Sequence, residues 1–272
     1  MNRLTTLEIP SGAVGIQWFG QSWFAFKDAQ GTVLQVDPYG PRTRPADEFI
    51  HPESPLDEAT LPTDFVLLTH VHGDHTCLES IFRIHNAFPA TQFLGPAECT
   101  DLLCRQGIPA SLLQTVSAGE TRWLKGVQLH TVYAKPPAGL PAEGIAPPDV
   151  EHLGFVLDCQ GTRVYISGDP VQSFSQHEFL LAPIRAHQPQ LGLLTTHPTE
   201  GEFPLLDGSV EMAVKLKLQA AVPAHYACFV RRTYDPQQWA ARFPADGPTP
   251  LLIPYGGVLV FRADSPGWKT AE

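Results

Sequence analysis

The sequence predicts an α/β protein in which two β-sheets pack face to face with helices on their outer sides. Three observations predict it. Two series of short β-branched and aromatic segments occur, each followed by helical stretches. The apolar run Asp64–Thr69 has the length and continuity of a strand buried on both faces. The 272 residues, 43% hydrophobic and 17% charged, suffice for one substantial core and exclude general disorder. No break in composition separates two domains, so residues 1–272 read as one domain.

In chain order, Val14–Phe19 and Trp23–Lys27 are strand-like. The turn residues Asp28-Ala-Gln-Gly31 follow, and Thr32–Val36 completes an antiparallel meander ending at Asp37-Pro38. The Pro-rich, polar stretch Tyr39–Leu61 reads as a long surface loop. After the strand Asp64–Thr69 and a histidine-rich string, Cys77–Asn86 carries Leu78, Ile81, Phe82 and His85 at helical spacing. Thr91–Leu94 is a strand, and Ala97–Gln106 a helix stopped by Gly107. A second strand series runs through Leu112–Val116, Thr121–Leu124, Val127–Tyr133, His152–Asp158 and Arg163–Ser167. Lys135–Asp149 interrupts it; five prolines and two glycines preclude regular structure there, and its position marks a functional loop near the active site. The last third alternates: helix Phe174–Ala182, strand Leu191–Thr195, helix Ser209–Leu218, strand Ala220–Pro223, helix Pro236–Phe243, then strands Leu251–Ile253 and Val258–Arg262.

Charge narrows the partners. Eighteen Lys+Arg against 28 Asp+Glu give a net charge of −10, which argues against nucleic acid or an anionic membrane as a bulk partner. No apolar run approaches the ~20 residues of a membrane span. The N-terminal MNRLTTLEIPSG has no signal-peptide core. The five scattered cysteines form no Cys-x-x-Cys pair and read as reduced thiols. The expectation is a cytoplasmic protein acting on a small molecule.

Placement of the histidines carries the chemistry. His70-Val-His72-Gly-Asp74-His75 puts three imidazoles and a carboxylate in six positions, directly after a buried strand. Imidazole nitrogen and carboxylate oxygen suit Zn²⁺, Mn²⁺ or Fe²⁺. Alternation along an extended chain would set His70 and His72 on one side. Gly73 would then allow a sharp turn that aims Asp74 and His75 from another angle. Two further strands end in ligand-type residues, Ile166-Ser-Gly-Asp169 and Val222-Pro-Ala-His225. Asp37 could orient a ligand imidazole through its other ring nitrogen. His197, after a buried strand, and Tyr226 and Tyr255 are candidate substrate contacts, with Thr199-Glu200-Gly201 as a possible substrate loop. Cys77 and the histidines at 51, 85, 177 and 187 read as packing or exposed residues.

This order of strand–H-x-H-x-D-H, strand–Gly-Asp and strand–His resembles the metallo-β-lactamase superfamily. The strings Trp18-Phe-Gly20, Val36-Asp-Pro38, Gly95-Pro96, Tyr165-Ile-Ser-Gly-Asp169 and Tyr255-Gly-Gly257 make the chain similar to its L-ascorbate-6-phosphate lactonase-like branch. The resemblance implies an αββα four-layer sandwich of two mixed sheets, with one or two divalent ions at one edge. It implies that His70 and His72 bind a first ion. Asp74 and His75 would bind a second or shape the nucleophile's surroundings, Asp169 would bridge, and His225 would complete the second site. The superfamily places a further histidine shortly before a glycine; His152, two residues before Gly154, fits, and His130 is the alternative. Zn²⁺ or Mn²⁺ leads among the ions, with Fe²⁺ as a further candidate. Branch analogy also suggests a homo-oligomer.

Such an ion lowers the pKa of bound water from 15.7 to about 7. No Gly-x-Ser-x-Gly elbow or phosphate loop offers a rival chemistry. Asp74 is the expected catalytic residue, positioning water or receiving its proton. The expected reaction is hydrolysis of a small ester, lactone or related substrate. A phosphorylated sugar-acid lactone would call on Lys135, Arg231 or Arg232. The alternatives are a metal-dependent phosphodiesterase or nuclease, and a metal-binding module without turnover.

Overall fold

The strand pattern of the sequence closes into two sheets in the computed structural model, which describes residues 2–264 and 269–270. The first sheet contains β1 (Ala13–Trp18), β2 (Phe24–Lys27), β3 (Val33–Val36), β4 (Phe65–Leu67), β5 (Gln92–Gly95) and β6 (Leu113–Thr115). The second contains β7 (Thr121–Leu124), β8 (Val127–Tyr133), β9 (Leu153–Cys159), β10 (Thr162–Ile166), β11 (Leu191–Thr195), β12 (Ala220–Ala224) and β13 (Thr249–Pro250). The chain then returns to the first sheet with β14 (Val258–Arg262) and β15 (Lys269–Thr270), giving the order β15-β14-β1-β2-β3-β4-β5-β6. Each sheet is mixed. Strands β1–β3 and β7–β10 pair antiparallel; β3–β6 and β10–β13 pair parallel.

Parallel neighbours need crossovers; the long loop after β3 makes the one to β4, and helices supply the others. α2 (Leu78–Ala87) and α3 (Ala97–Arg105) flank β5, while α4 (Glu178–Ala186), α5 (Leu206–Lys215) and α6 (Gln237–Ala240) connect the parallel half of the second sheet. A short α1 (Arg3–Thr6) precedes β1. The apolar run at β4 shows why both faces are covered. Phe65 and Leu67 join the core between the sheets with Phe26, Leu129, Phe155 and Val222, whereas Val66 and Leu68 pack under Ile81, Ile84 and Leu103 of α2 and α3. On the other side Leu180, Ile184, Val210 and Trp239 cover Val156, Tyr165 and Leu194. The result is the expected four-layer αββα sandwich. No helix among the described residues is long and apolar enough to cross a membrane.

Several boundaries depart from the sequence reading. The helix expected at 174–182 is a 3₁₀ turn, Phe174–Gln176, followed by α4 at Glu178–Ala186. Burial of Leu180, Leu181 and Ile184 sets the later register, and a Ser173 Oγ–His177 Nε2 contact of 2.8 Å closes the turn. Pro183 inside α4 removes one donor that would reach Phe179, a surface residue. α5 begins three residues before the expected Ser209, and α6 is shorter than the expected 236–243. The strand expected at Leu251–Ile253 is irregular apart from Leu251 N–H donating to Ala221 O at 2.7 Å, because Pro250 and Pro254 remove the flanking donors. The loop Tyr39–Leu61 is not wholly at the surface. Phe49, Leu56, Glu58 and Leu61 are buried, and Arg83 holds Glu58 at 2.7 Å. The sequence reading missed α1 and β15, both too short to show a period.

Candidate metal centre

The ligand-type residues meet along one edge of the sandwich because each sits at a strand end. Asp37 follows β3, residues 70–75 follow β4, His152 precedes β9, Asp169 follows β10 and His225 follows β12. Three local features join these ends. Leu153 N–H donates to Thr69 O at 2.9 Å, setting the 152–153 and 69–70 segments side by side. Gly168 has φ +56, and a Cβ there would lie 2.4 Å from Leu153 O, so glycine before Asp169 is a steric requirement. His225, at φ 68, donates its N–H to Gln21 O at 3.0 Å.

The histidine string itself folds differently from the expectation. It is a turn rather than an extended strand, closed by His75 N–H and Thr76 N–H donating to His72 O at 2.9 and 2.7 Å. Gly73 does not supply a left-handed conformation, and a Cβ at that position would meet nothing within 4 Å. His70 is fully buried while His72 is a third exposed, yet their rings lie 4.8 Å apart.

Among the described residues donor atoms converge in three groups, His70/His72/His152, His70/His75/Asp169 and Asp74/His75/His225, within each of which they lie within 4.8 Å of one another. Asp169 lies between the outer groups. Its Oδ2 is 3.6 Å from His70 Nε2 and 3.3 Å from His75 Nε2, and its Oδ1 is 3.7 Å from His225 Nε2. The remote ring nitrogens are engaged elsewhere: His75 Nδ1 lies 2.8 Å from Asp37 Oδ2 and His70 Nδ1 lies 3.0 Å from Thr69 Oγ1. That leaves Nε2 of each ring turned to the centre. Nε2 of His70, His75 and His152 and Oδ1 of Asp169 are buried without a hydrogen-bond partner. Leaving one such group unpaired costs about 1–3 kcal/mol. A divalent cation among imidazole and carboxylate donors satisfies them together, so the donor set fits a metal ion.

Charge is balanced inside the cluster. Burial holds His70 well below the usual imidazole range, with His75 adding to the effect. Burial, with Lys135 nearby, pushes His152 down to about 3. Both shifts favour the neutral ring, the form that binds a metal. At His75 burial acts the same way, but Asp169, Asp37 and Asp74 outweigh it and raise the pKa well above the ordinary value. Burial also opposes charge on Asp169 and Asp74, yet His75 and His225 outweigh it and hold both carboxyls low. Burial alone dominates at Asp37 and raises it.

The other expected site residues divide. Asp37 touches His75, as just described. His130 lies apart from the donor groups, against Thr121 Oγ1 at 2.9 Å and stacked on His187 at 3.9 Å, so His152 is the intervening histidine that reaches the cluster. Tyr226, expected at the pocket, packs into the core, 5% exposed and stacked on Trp18 at 4.6 Å; its flat ring completes the apolar layer there. Tyr255 stacks on His51 at 3.7 Å. His197 caps its own loop, Nδ1 accepting from Thr199 and Glu200 N–H at 3.2 and 2.9 Å. Cys77 is buried before α2 and outside the donor groups.

Two residues escaped the sequence reading. Gln21 places Nε2 2.9 Å from both Asp74 Oδ2 and His225 Nε2. Asp149, at the end of the Pro-rich loop, places Oδ2 2.8 Å from His72 Nε2. A lone amide in a turn has no signature; Asp149, three residues before His152, could have been read from that spacing. Beside Asp74 opens a cavity of about 560 Å³ lined by Asp47, Glu48, Phe229, Arg231 and Arg232.

Comparison with known proteins supplies the family. Residues 34–226 match the model of the beta-lactamase superfamily domain. The chain belongs to the metallo-β-lactamase superfamily of metal-dependent hydrolases. Within the superfamily it is 27% identical over 231 residues to a UPF0173 metal-dependent hydrolase of Polynucleobacter asymbioticus, covering 79% of this chain and 75% of the relative. A probable L-ascorbate-6-phosphate lactonase UlaG of Salmonella paratyphi B is 26% identical over 190 residues, covering 64% of this chain and 52% of that protein. Among solved structures, Igni18, a metallo hydrolase from Ignicoccus hospitalis, superposes with a TM-score of 0.67 at 19% identity, covering 92% of this chain and 99% of that one; this is a likeness of fold.

Proposed function

We propose that this metallo-β-lactamase superfamily member hydrolyses a small ester or lactone that carries an anionic group, using two divalent ions. The observation that carries this reading is the set of buried, unpartnered donor atoms around Asp169, next to an open cavity. His70, His72 and His152 would hold one ion; Asp74, His75 and His225 would hold the other; Asp169 would contact both. Bound ions supply Lewis acidity and acidify water. Zn²⁺ or Mn²⁺ suits the donors, with Fe²⁺ as the third candidate.

The chain's own residues supply the rest. Asp74, on the cavity wall, receives the proton of the attacking water at its carboxylate. Asp37 holds the His75 ring in place. The water oxygen bonds to the acyl carbon as the C–O bond to the leaving oxygen breaks, and the alkoxide takes up the proton held on Asp74 to give an acid and an alcohol; a lactone opens to a hydroxy acid. Arg232 lines the cavity, with Nη1 3.6 Å from Asp74 Oδ2 and Nε 3.1 Å from Glu200, and would meet an anionic substituent bound there. The lactone preference is supported by the Salmonella relative. The Pro/Gly-rich loop 135–149 borders the site through Asp149 and Lys135, the latter 3.6 Å from Glu202. The net charge of −10 disfavours a polyanionic nucleic acid.

A screen of lactones, esters and phosphodiesters with Zn²⁺ and Mn²⁺ tests this. Turnover of an anionic lactone or ester, abolished by chelator and restored by either ion, is expected. Metal binding without turnover of any of the three classes contradicts it.

A further inference from the structure

We infer that Gln21 is an additional oxygen donor to the ion held by Asp74, His75 and His225, an inference that rests on the two-ion reading above. The Gln21 side chain is 1% exposed, and its amide head touches two members of that donor group, Asp74 Oδ2 and His225 Nε2, both at 2.9 Å from Nε2. Its other end, Oε1, is buried with no hydrogen-bond partner. That unsatisfied acceptor costs about 1–3 kcal/mol. Turned over, the amide would put this oxygen beside Asp74 and His225, within reach of an ion they hold.

The backbone supports the same assignment. Gln21 sits at φ 53, a left-handed conformation that costs a non-glycine residue on the order of 1–3 kcal/mol. It is held there by the loop that carries His225. Gln21 N–H donates to Tyr226 O at 2.9 Å, and Gln21 O accepts from His225 N–H at 3.0 Å and from Trp18 Nε1–H at 3.1 Å. His225 is left-handed as well, at φ 68. Two strained residues thus clamp each other and fix the amide beside the imidazole. The last side-chain torsion of glutamine is broad and roughly two-fold. Its rotation exchanges Nε2 and Oε1, placing the oxygen where the nitrogen now meets the carboxylate and imidazole. Nitrogen faces them because only N–H can donate to Asp74 Oδ2 and to the ring lone pair; a cation inverts that preference.

Calorimetric titration of the chelator-stripped full-length protein with Co²⁺, read alongside the visible cobalt spectrum, tests the assignment. The native protein is expected to show two binding events, and His72→Ala identifies the one belonging to the opposite group. Gln21→Leu keeps the bulk and removes the oxygen; it should weaken the Asp74/His75/His225 event at least tenfold and leave the other unchanged. Gln21→Glu keeps an oxygen and should hold that ion at least as tightly as the native protein. Native-like affinity in Gln21→Leu, a tenfold loss in Gln21→Glu, or a single event in the native protein overturns the inference. Should Gln21→Leu fail to fold by circular dichroism, Gln21→Glu decides alone. No uptake of Co²⁺ by the native protein defeats the metal reading itself.

Discussion

At Asp37 a carboxylate with no solvent contact accepts from Thr69 N–H at 2.8 Å and Thr69 Oγ1–H at 2.6 Å, and meets His75 Nδ1 at 2.8 Å. It touches no ion itself; it fixes the ring whose far nitrogen points inward. Asp37→Ala should therefore lower metal affinity about 10–100-fold, as measured by competition with a colorimetric chelator. Unchanged affinity would remove Asp37 from the account. The histidines also set a pH dependence for the chelator-stripped protein. His70 and His152 have folded values below the unfolded pKa of about 6.5, so below that pH the unfolded chain binds the extra protons and stability falls. His75 acts in the opposite direction: its stabilisation is fully present below about 6.5 and is lost as pH rises through its raised folded value. Urea midpoints of the stripped protein should peak near pH 6.5 and decline on both sides; a midpoint still rising at pH 5 is inconsistent with neutral buried imidazoles. Most of these residues were legible because H-x-H-x-D-H is a rare string, and a strand-end Gly-Asp and a strand-end His gain meaning beside it. Gln21 was not, because its role comes from a tertiary clamp to residue 225 rather than from its neighbours in sequence.

Strands were easier to read than helices. The run Phe65–Leu68 at β4 is apolar at every position because alternate side chains enter two different layers, Phe65 and Leu67 one and Val66 and Leu68 the other. α4 was misplaced because Phe174 fits the apolar period yet belongs to a separate 3₁₀ turn, and sequence spacing cannot distinguish the two. The long loop 39–61 hid a buried carboxylate, since a Glu in a polar stretch gives no sign that Arg83 will enclose it. Two expectations belong to this scale. Phe155 of β9 is fully buried between the sheets, so Phe155→Ala should cost about 3–5 kcal/mol in urea unfolding; a loss under 1 kcal/mol would mean the layers do not meet there. Gly168→Ala forces a Cβ to 2.4 Å from Leu153 O, and the shift needed must move Asp169. Metal content of that purified variant should fall well below that of the native protein, and full content would show that the loop can adapt.

On the scale of the molecule, two half-antiparallel, half-parallel sheets bring five strand ends to one edge, and the donors follow from that topology. No single segment could assemble them: Gln21 and His225 are 204 positions apart. Ions binding only the folded state stabilise it by about 2.7 kcal/mol at a hundredfold excess over Kd. The native protein should therefore melt higher with Zn²⁺ or Mn²⁺ than with chelator, and equal melting temperatures would argue that the cluster binds neither. The most direct measurement is anomalous X-ray scattering at the metal absorption edge from crystals grown with Zn²⁺ or Mn²⁺. Two peaks are expected, one among His70, His72 and His152 and one among Asp74, His75 and His225, with Asp169 between them. Diffraction showing no peak within reach of these side chains would contradict the account.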